Sequence, residues 1–422
     1  MGTKLYLIRI FKSLKRWIIK SFASFFKWII LGIITGAAVG LCSGAFHASL
    51  EYAAVLRNKY QYIILLLPVL GVSIVFIYKL LGLIHDKGTN MVILAVRDGE
   101  NMTWKNTMGI FTGSVLTHLG GGSAGREGAA LQIGGSIGSQ IGLWLRLNKQ
   151  DHRLITMCGM SAGFSALFGT PAAAAFFSME VISVGIMHYS AVVPCIISAI
   201  VGYKISSYAG VAPARMDIKV SEVDIVFYLK IALLAVMCAF LSILFCFVLK
   251  NSGRLYKKAF KNPYLRIALG GIFVIALTFI CQTREYNGAG MEFVRKAFET
   301  RSHIWEFALK LLFTAVTLGA GFKGGEILPA FFVGSAFGSA VSGILGIDCS
   351  MGAAIGLACL FCGITNCPVA SVLMCAELFG IKYLPVFMLA CGISYMLSGY
   401  GGLYSEQKIM YSKLEPKFID RK

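Results

Sequence analysis

Residues 120–142 read GGGSAGREGAALQIGGSIGSQIG, and Arg126 and Glu127 are the only charged residues in that run. A carboxylate at membrane depth costs roughly 2.5–3.5 kcal/mol on insertion scales, so it marks a functional position. The flanking glycines let the backbone turn and bare its amides, and Ala129-Ala130-Leu131-Gln132 can begin a helix. A helix start presents unpaired N–H donors and a partial positive charge, which suits an anion. Glu127 is therefore a titratable anion placed where a free anion would also bind. Competition between the two would couple anion movement to protons.

The rest of the chain sets the surroundings of that pair. Hydrophobic residues make up 57% of the 422 and charged residues 14%. The mean hydropathy is +0.74. These values exclude an ordinary soluble protein. Apolar stretches recur at 28–50, 61–84, 104–119, 152–168, 186–203, 224–249, 264–281, 307–320, 351–364 and 384–398. Several match the ~20 residues that cross hydrocarbon. Others, at 170–184 and 368–380, are too short or too rich in glycine and proline. Uneven, interrupted segments characterise transporters whose half-helices meet at mid-membrane.

The net charge of +19 is concentrated. Lys4, Arg9, Lys12, Lys15, Arg16, Lys20 and Lys27 all precede the first acid, Glu51. The positive-inside rule and anionic lipid account for this cluster without nucleic acid. Basic loops at 146–153 and 254–266 are expected on the same, cytoplasmic, side, with both termini. No Ala-x-Ala-like site follows the first apolar stretch, so it is expected to remain uncleaved.

Among twelve cysteines, Cys359 and Cys362 form a CxxC, with Cys367 and Cys375 following. Apolar neighbours and the absence of a nearby histidine favour small buried hydrophobes over a metal centre. The histidines at 47, 85, 118, 152, 188 and 303 form no ligand spacing. No metal or other cofactor is expected. An intramembrane enzyme would need a nucleophile–base set or metal ligands, and neither is found.

The chain also repeats itself. GREGAALQIGGSIG is followed by FGTPAAAAFFSMEV, and GGEILPAFFVGSAFG by CGITNCPVASVLMCAEL. Glu127 and Glu326 stand 199 residues apart; Pro171 and Pro368, and Glu180 and Glu377, each 197 apart. Two halves of about 200 residues, inverted and with the binding site between them, are the expected architecture. The divisions expected are a basic segment at 1–27, a first transmembrane repeat at 28–208, a second at 209–400, and a central-tyrosine helix with a cytoplasmic tail at 401–422.

These motifs together resemble the CLC family of anion channels and proton–anion antiporters. GREG resembles that family's external-gate motif, GFKGGEILPAFFVGSAFG (321–338) its second-half Gly-Gly-x-x-x-Pro motif, and GGLYSEQ (401–407) the segment carrying its central tyrosine. The resemblance runs from about residue 28 to 412 and implies a CLC-type fold, all-α with broken and re-entrant helices, assembled as a dimer in the plasma membrane. Three departures resemble the fluoride-transporting branch. Gly88-Thr89-Asn90-Met91-Val92 replaces the serine turn, Ala129 replaces proline, and Glu326 stands where chloride-type members carry an apolar residue. Against that branch, Leu328 lacks a hydroxyl. The inner proton glutamate of chloride antiporters falls at Val181.

The function implied is transport of a halide, with fluoride/proton antiport ahead of a chloride channel or chloride/proton antiporter. Glu127 would be the proton and gate residue. Thr89, Asn90, the amides of Gly128, Ile327 and Leu328, and the Tyr404 hydroxyl would hold the anion with neutral donors, so that it can leave again. Thr89 and Asn90 also read as an ordinary helix cap, and Tyr404 as an interfacial residue. Glu326 is either a coupling carboxylate or a partner for Lys323. Glu180 and Glu377 read as interfacial acids, and Arg126 as structural, pairing with backbone or acid.

Overall fold

The computed structural model describes residues 2–421 except 85, 213 and 220–222, with side chains described for residues 14–420 outside those gaps. His85 and the side chains of Lys4, Arg9 and Lys12 lie outside the described residues. Eight helices form the first half: α1 (Gly2–Lys59), α2 (Leu67–Leu80), α3 (Thr89–Arg97), α4 (Trp104–Leu119), α5 (Glu127–Trp144), α6 (Lys149–Phe168), α7 (Pro171–Glu180) and α8 (Val192–Tyr208). Eight more follow: α9 (Ile225–Ala259), α10 (Pro263–Cys281), α11 (Met291–Glu299), α12 (Glu306–Ala320), α13 (Ile327–Leu345), α14 (Cys349–Thr365), α15 (Pro368–Phe379) and α16 (Leu384–Leu397).

The two series match element by element. α3 and α11 each have nine residues, and α5 and α13 have 18 and 19. α7 and α15 both open on proline, which is preorganised for a first helical position. Each half also makes the same internal contact, since Met102 N–H donates to Ser139 Oγ and Ser302 N–H to Ser339 Oγ, both at 3.1 Å.

Contacts between the halves are reciprocal. Ser123 N–H donates to Thr317 Oγ1 at 3.1 Å, and Lys323 N–H to Thr117 Oγ1 at 3.2 Å. Glu180 accepts from the amides of Val369 (3.2 Å) and Ala370 (2.9 Å) at the start of α15. Glu377 accepts from Ala172 (3.0 Å) and Ala173 (2.9 Å) at the start of α7. A surface that answers itself in this way has a two-fold relation. The halves are also inverted. α1 carries His47 and Arg57, near its C-terminal end, to one cavity, whereas α9 carries Lys257, at the same end, to another.

Six helical stretches among the described residues are long and apolar enough to cross a membrane, including 14–59, 225–259 and 327–345. The helices around the site pack by glycine. A methyl group at Gly134 would overlap the Gly159 carbonyl oxygen, and one at Gly334 the Gly356 carbonyl oxygen. α5 therefore presses backbone to backbone against α6, and α13 against α14. Membrane helices, which lack a hydrophobic drive to associate, pack by this kind of close approach.

One feature departs from an all-helical reading. Ser183–Val184 (β1) pairs in parallel with Lys408–Tyr411 (β2), which pairs antiparallel with Phe418–Arg421 (β3). The helix expected to carry Tyr404 does not form, since the described residues 401–407 are turn and irregular chain led by Gly401 and Gly402, and the tail expected after it is a hairpin docked on the first half. Glu415-Pro416 favours a turn there, and the alternating apolar residues on either side suit strands.

Candidate functional site: an anion path between two cavities

The first residue of α5 is Glu127, only 1% exposed. Its Oε2 accepts from Arg126 N–H at 3.0 Å, and Oε1 lies 3.6 Å from Arg126 Nε. The first carbonyl engaged by the helix is Arg126 O, which accepts from Ala130 N–H at 2.9 Å. The amides of Glu127, Gly128 and Ala129 thus belong to the unsatisfied set of a helix start.

Facing it, α13 begins at Ile327, and Glu326 O accepts from Ala330 N–H at 3.1 Å. Ile327 and Leu328 are fully buried, and their amides are the equivalent set. The two starts are joined: Gly125 N–H donates to Gly325 O at 2.6 Å and Gly325 N–H to Gly125 O at 2.7 Å. Only glycine fits here, because a Cβ on Gly128 would stand 2.9 Å from Gly325 Cα.

A third helix start completes the group. Gly88 takes φ +62°, a left-handed conformation natural to glycine, and turns the chain into α3 at Thr89. Thr89 Oγ1 and Glu326 Oε2 both lie 3.4 Å from where a Gly128 Cβ would be, so all three residues meet at one point. Gln132 Nε2 donates to Thr89 Oγ1 at 3.2 Å and to Gly128 O at 3.3 Å. Tyr404 is buried, and its hydroxyl has no hydrogen-bond partner. Glu326 Oε2 is likewise buried and without one. Buried polar atoms are normally satisfied, so two orphans at one site mark room for a hydrogen-bonding guest.

Two separate cavities approach this point. One, of about 400 Å³, is lined by Thr89, Asn90, Gln132, Glu326 and Tyr404 and rimmed by Lys79, Lys87, Lys257, Arg266 and Lys323. The other, of about 700 Å³, reaches Arg126 and Leu328. Glu127 lies between them, closed off.

Thr89, Asn90, Glu326 and Tyr404 line the first cavity, Gly128 lies beside Thr89 and Glu326, and Leu328 reaches the second; Asn90 is partly committed. Its Oδ1 accepts from Glu406 N–H at 3.1 Å, leaving the amide nitrogen as donor. Lys323 does not hold Glu326: its Nζ lies 3.4 Å from Asp86 Oδ2 and 4.0 Å from the Tyr78 ring centroid. Arg126 stands within ion-pair distance of two acids, 3.6 Å from Glu127 Oε1 and 3.8 Å from Glu51 Oε1. Its short side-chain bond, 2.7 Å, goes to His47 Nδ1. Gln132 and Gln407 escaped the sequence reading. Gln407 anchors the Tyr404 segment by donating to Val181 O (3.0 Å) and Thr365 O (2.9 Å). An amide inside the apolar run that follows Glu127 was the available signal for Gln132. No His, Cys, Asp or Glu cluster among the described residues could hold a metal ion.

Inverted repeats, helix starts converging on a buried carboxylate, and a cavity on each side define a membrane protein that passes anions. The family model for the voltage gated chloride channel matches residues 70–399, and the chain belongs to that family. It is 33% identical over 382 residues to the "Chloride/fluoride channel protein" of Pseudomonas syringae pv. tomato, covering 89% of this chain and 84% of that protein. Among solved structures, a CLC-type fluoride/proton antiporter superposes with TM-score 0.88 at 29% identity, covering 91% of this chain and 98% of the other. A slow cyanobacterial Cl⁻/H⁺ antiporter superposes at 0.73 with 16% identity, over 90% and 96%; at that identity it shares the fold alone.

Proposed function

We propose that this protein exports fluoride in exchange for protons, with Glu127 as both gate and proton carrier. The reading rests on one observation above the others. Glu127 closes the gap between two cavities at a helix start, where an anion would otherwise sit. When ionised, it occupies the anion's place; when protonated, it loses the attraction of the helix start and can swing aside. The anion is held by Thr89, the Asn90 amide nitrogen, the amides of Gly128, Ile327 and Leu328, and the Tyr404 hydroxyl. All are neutral donors, which favour a small, strongly hydrogen-bonding ion while letting it go.

Glu326 is the second carboxylate of the exchange. Its Oε2 lacks a partner and lies beside Gly128, within reach of the same ion position. The named relatives, one called a chloride/fluoride channel protein and one a fluoride/proton antiporter, support fluoride over chloride.

The repeats divide at 28–208 and 209–400, between the basic segment 1–27 and the tail 401–422. Both termini face the cytoplasm of a bacterial plasma membrane. The cavity rimmed by Lys79, Lys87, Lys257, Arg266 and Lys323 is the inner mouth, and the protein works as a homodimer.

Purified protein in liposomes, with fluoride, chloride and pH recorded together, tests the reading. A fluoride gradient is expected to drive protons the opposite way, and Glu127→Gln to abolish that proton movement. Chloride flux clearly above fluoride flux would overturn the substrate. Anion-driven proton flux unchanged in Glu127→Gln would overturn the gate.

A further inference from the structure

Leading to Glu127, the larger cavity holds charged groups that the exchange, as described, does not use. Side-chain exposure falls from Glu51 (62%) to His47 (13%) and Arg126 (15%), and then to Glu127 (1%). Glu51 and His47 lie one turn apart on α1, with Glu51 Oε1 3.9 Å from His47 Nδ1 and 3.8 Å from Arg126 Nη1. Arg126 Nη1 approaches His47 Nδ1 to 2.7 Å.

The chemistry of that last contact is one-sided. A guanidinium has only donors, so His47 Nδ1 must accept with its lone pair, and the imidazole is then neutral with its proton on Nε2. Arg126 Nε is buried without a hydrogen-bond partner. Nothing else holds the guanidinium as closely, and 3.6 Å away stands Glu127 Oε1.

The geometry points to His47 as the residue that positions Arg126 and thereby sets how readily Glu127 takes up a proton from the outer cavity. This inference rests on the exchange reading above. While His47 accepts from Arg126, the guanidinium stays back from Glu127. A proton on Nδ1 would set two donors face to face, so the bond must break. The imidazolium then turns to Glu51, its neighbour on α1. Arg126 closes the short remaining distance to Glu127 and stabilises the carboxylate. Acid on the outer side thus holds the gate ionised and brakes proton entry.

The surrounding charges do not cancel this effect. On its own helix His47 has Glu51 and Arg57, and on α4 it has His118, whose Nδ1 lies 2.8 Å from Ser114 O. α8 contributes only Lys204. The opposite wall carries Arg284, Glu285, Glu292, Arg295 and Lys296. The bases at least match the acids, so Glu51 is the one carboxylate placed to reward a charged His47.

The test is fluoride-driven proton flux in oriented liposomes, with pH varied only on the outer-cavity side from about 7.5 to about 5.5, the range over which a histidine titrates. Wild-type flux is expected to fall several-fold below what the proton gradient alone would drive. His47→Gln keeps an acceptor but cannot titrate. It is expected to match wild type at neutral pH and to lose the acid inflection. His47→Leu removes the acceptor, and flux at neutral pH is expected to fall ~10-fold, the scale of one hydrogen bond to a charged group. An acid inflection unchanged in His47→Gln overturns the role of His47 and leaves the exchange intact. A wild type that moves fluoride without protons overturns the exchange itself, a result the His47 variants cannot mimic.

Discussion

Glu180 and Glu377 cap each other's halves. Each carboxylate lies in the last turn of its own short helix and accepts two backbone N–H groups at the start of the opposite one, at 2.9–3.2 Å. Glu180 is 8% exposed, so its removal strands the buried Ala370 donor and the part-buried Val369 donor. Glu180→Ala and Glu377→Ala are each expected to lower thermal stability in detergent, by about 1–3 kcal/mol per amide left unpaired. Both carboxylates are occupied structurally, so Glu180→Gln is expected to leave proton coupling unchanged. Loss of coupling in that variant would assign Glu180 to the proton route.

Glu326 is expected to behave differently. Lys323 is already taken by Asp86 and the Tyr78 ring, so Glu326→Gln breaks no ion pair. Fluoride-coupled proton movement is expected to drop ~100-fold or more, the lower end of what a positioned acid–base group contributes, while the melting temperature holds. A variant that melts early but transports normally would make the residue structural.

The glycine crossings invite a paired comparison. Gly134→Ala and Gly334→Ala place a methyl against a carbonyl on a backbone that cannot yield, which is expected to cost about 1–3 kcal/mol. Gly253 and Gly392 also lie inside helices but have nothing within 4 Å of a new Cβ. Alanine there is expected to stabilise by roughly 0.5–1 kcal/mol. Thermal unfolding of the four variants side by side checks both directions, and equal effects would sink the packing account.

The docked hairpin carries a pH signature. Lys413 Nζ donates to Asn366 Oδ1 at 2.6 Å and to Ser398 Oγ at 2.9 Å, yet burial pushes its ammonium down to about 8. An undocked lysine titrates near 10.4. Between these values the undocked tail binds more protons, so docking strengthens as pH rises from about 8 to about 10.4. A spin label at exposed Glu415 is expected to lose mobility over that window, and Lys413→Met to remove the dependence. A label whose mobility ignores pH in the wild type would contradict it.

Orientation has its own check. A single cysteine replacing Lys12 is expected to resist an impermeant thiol reagent added to intact cells and to react once the membrane is opened. Labelling from outside would reverse the two cavities.

The repeat was legible because matched landmarks recur at almost one offset. Glu127 and Glu326, Pro171 and Pro368, and Glu180 and Glu377 all stand at or near the ends of equivalent helices. Glu127 itself was legible because charge in an apolar run has few explanations. The cross-half contacts were hidden, because a repeat says which residues are equivalent and not which ones touch. Glu180 and Glu377 were recognised as equivalent, yet their amide donors lie 189–205 residues away in sequence. His47 was hidden for the same reason, standing 79 residues from the arginine it meets. The strand pairing of 408–411 was masked by its short length and by a partner of only two residues.

The Gly125–Gly325 bridge has a consequence for timing. Two backbone hydrogen bonds tie together the turns that begin α5 and α13, each worth about 0.5–1.5 kcal/mol net. Neither turn can lift without its counterpart unless both bonds break, so small thermal excursions of the backbone are shared and cancel at the midpoint. A side chain can then swing across the path while the floor beneath it stays still. On the exchange proposed above, side chains then set the pace of traffic, and the walls need not breathe for an ion to pass.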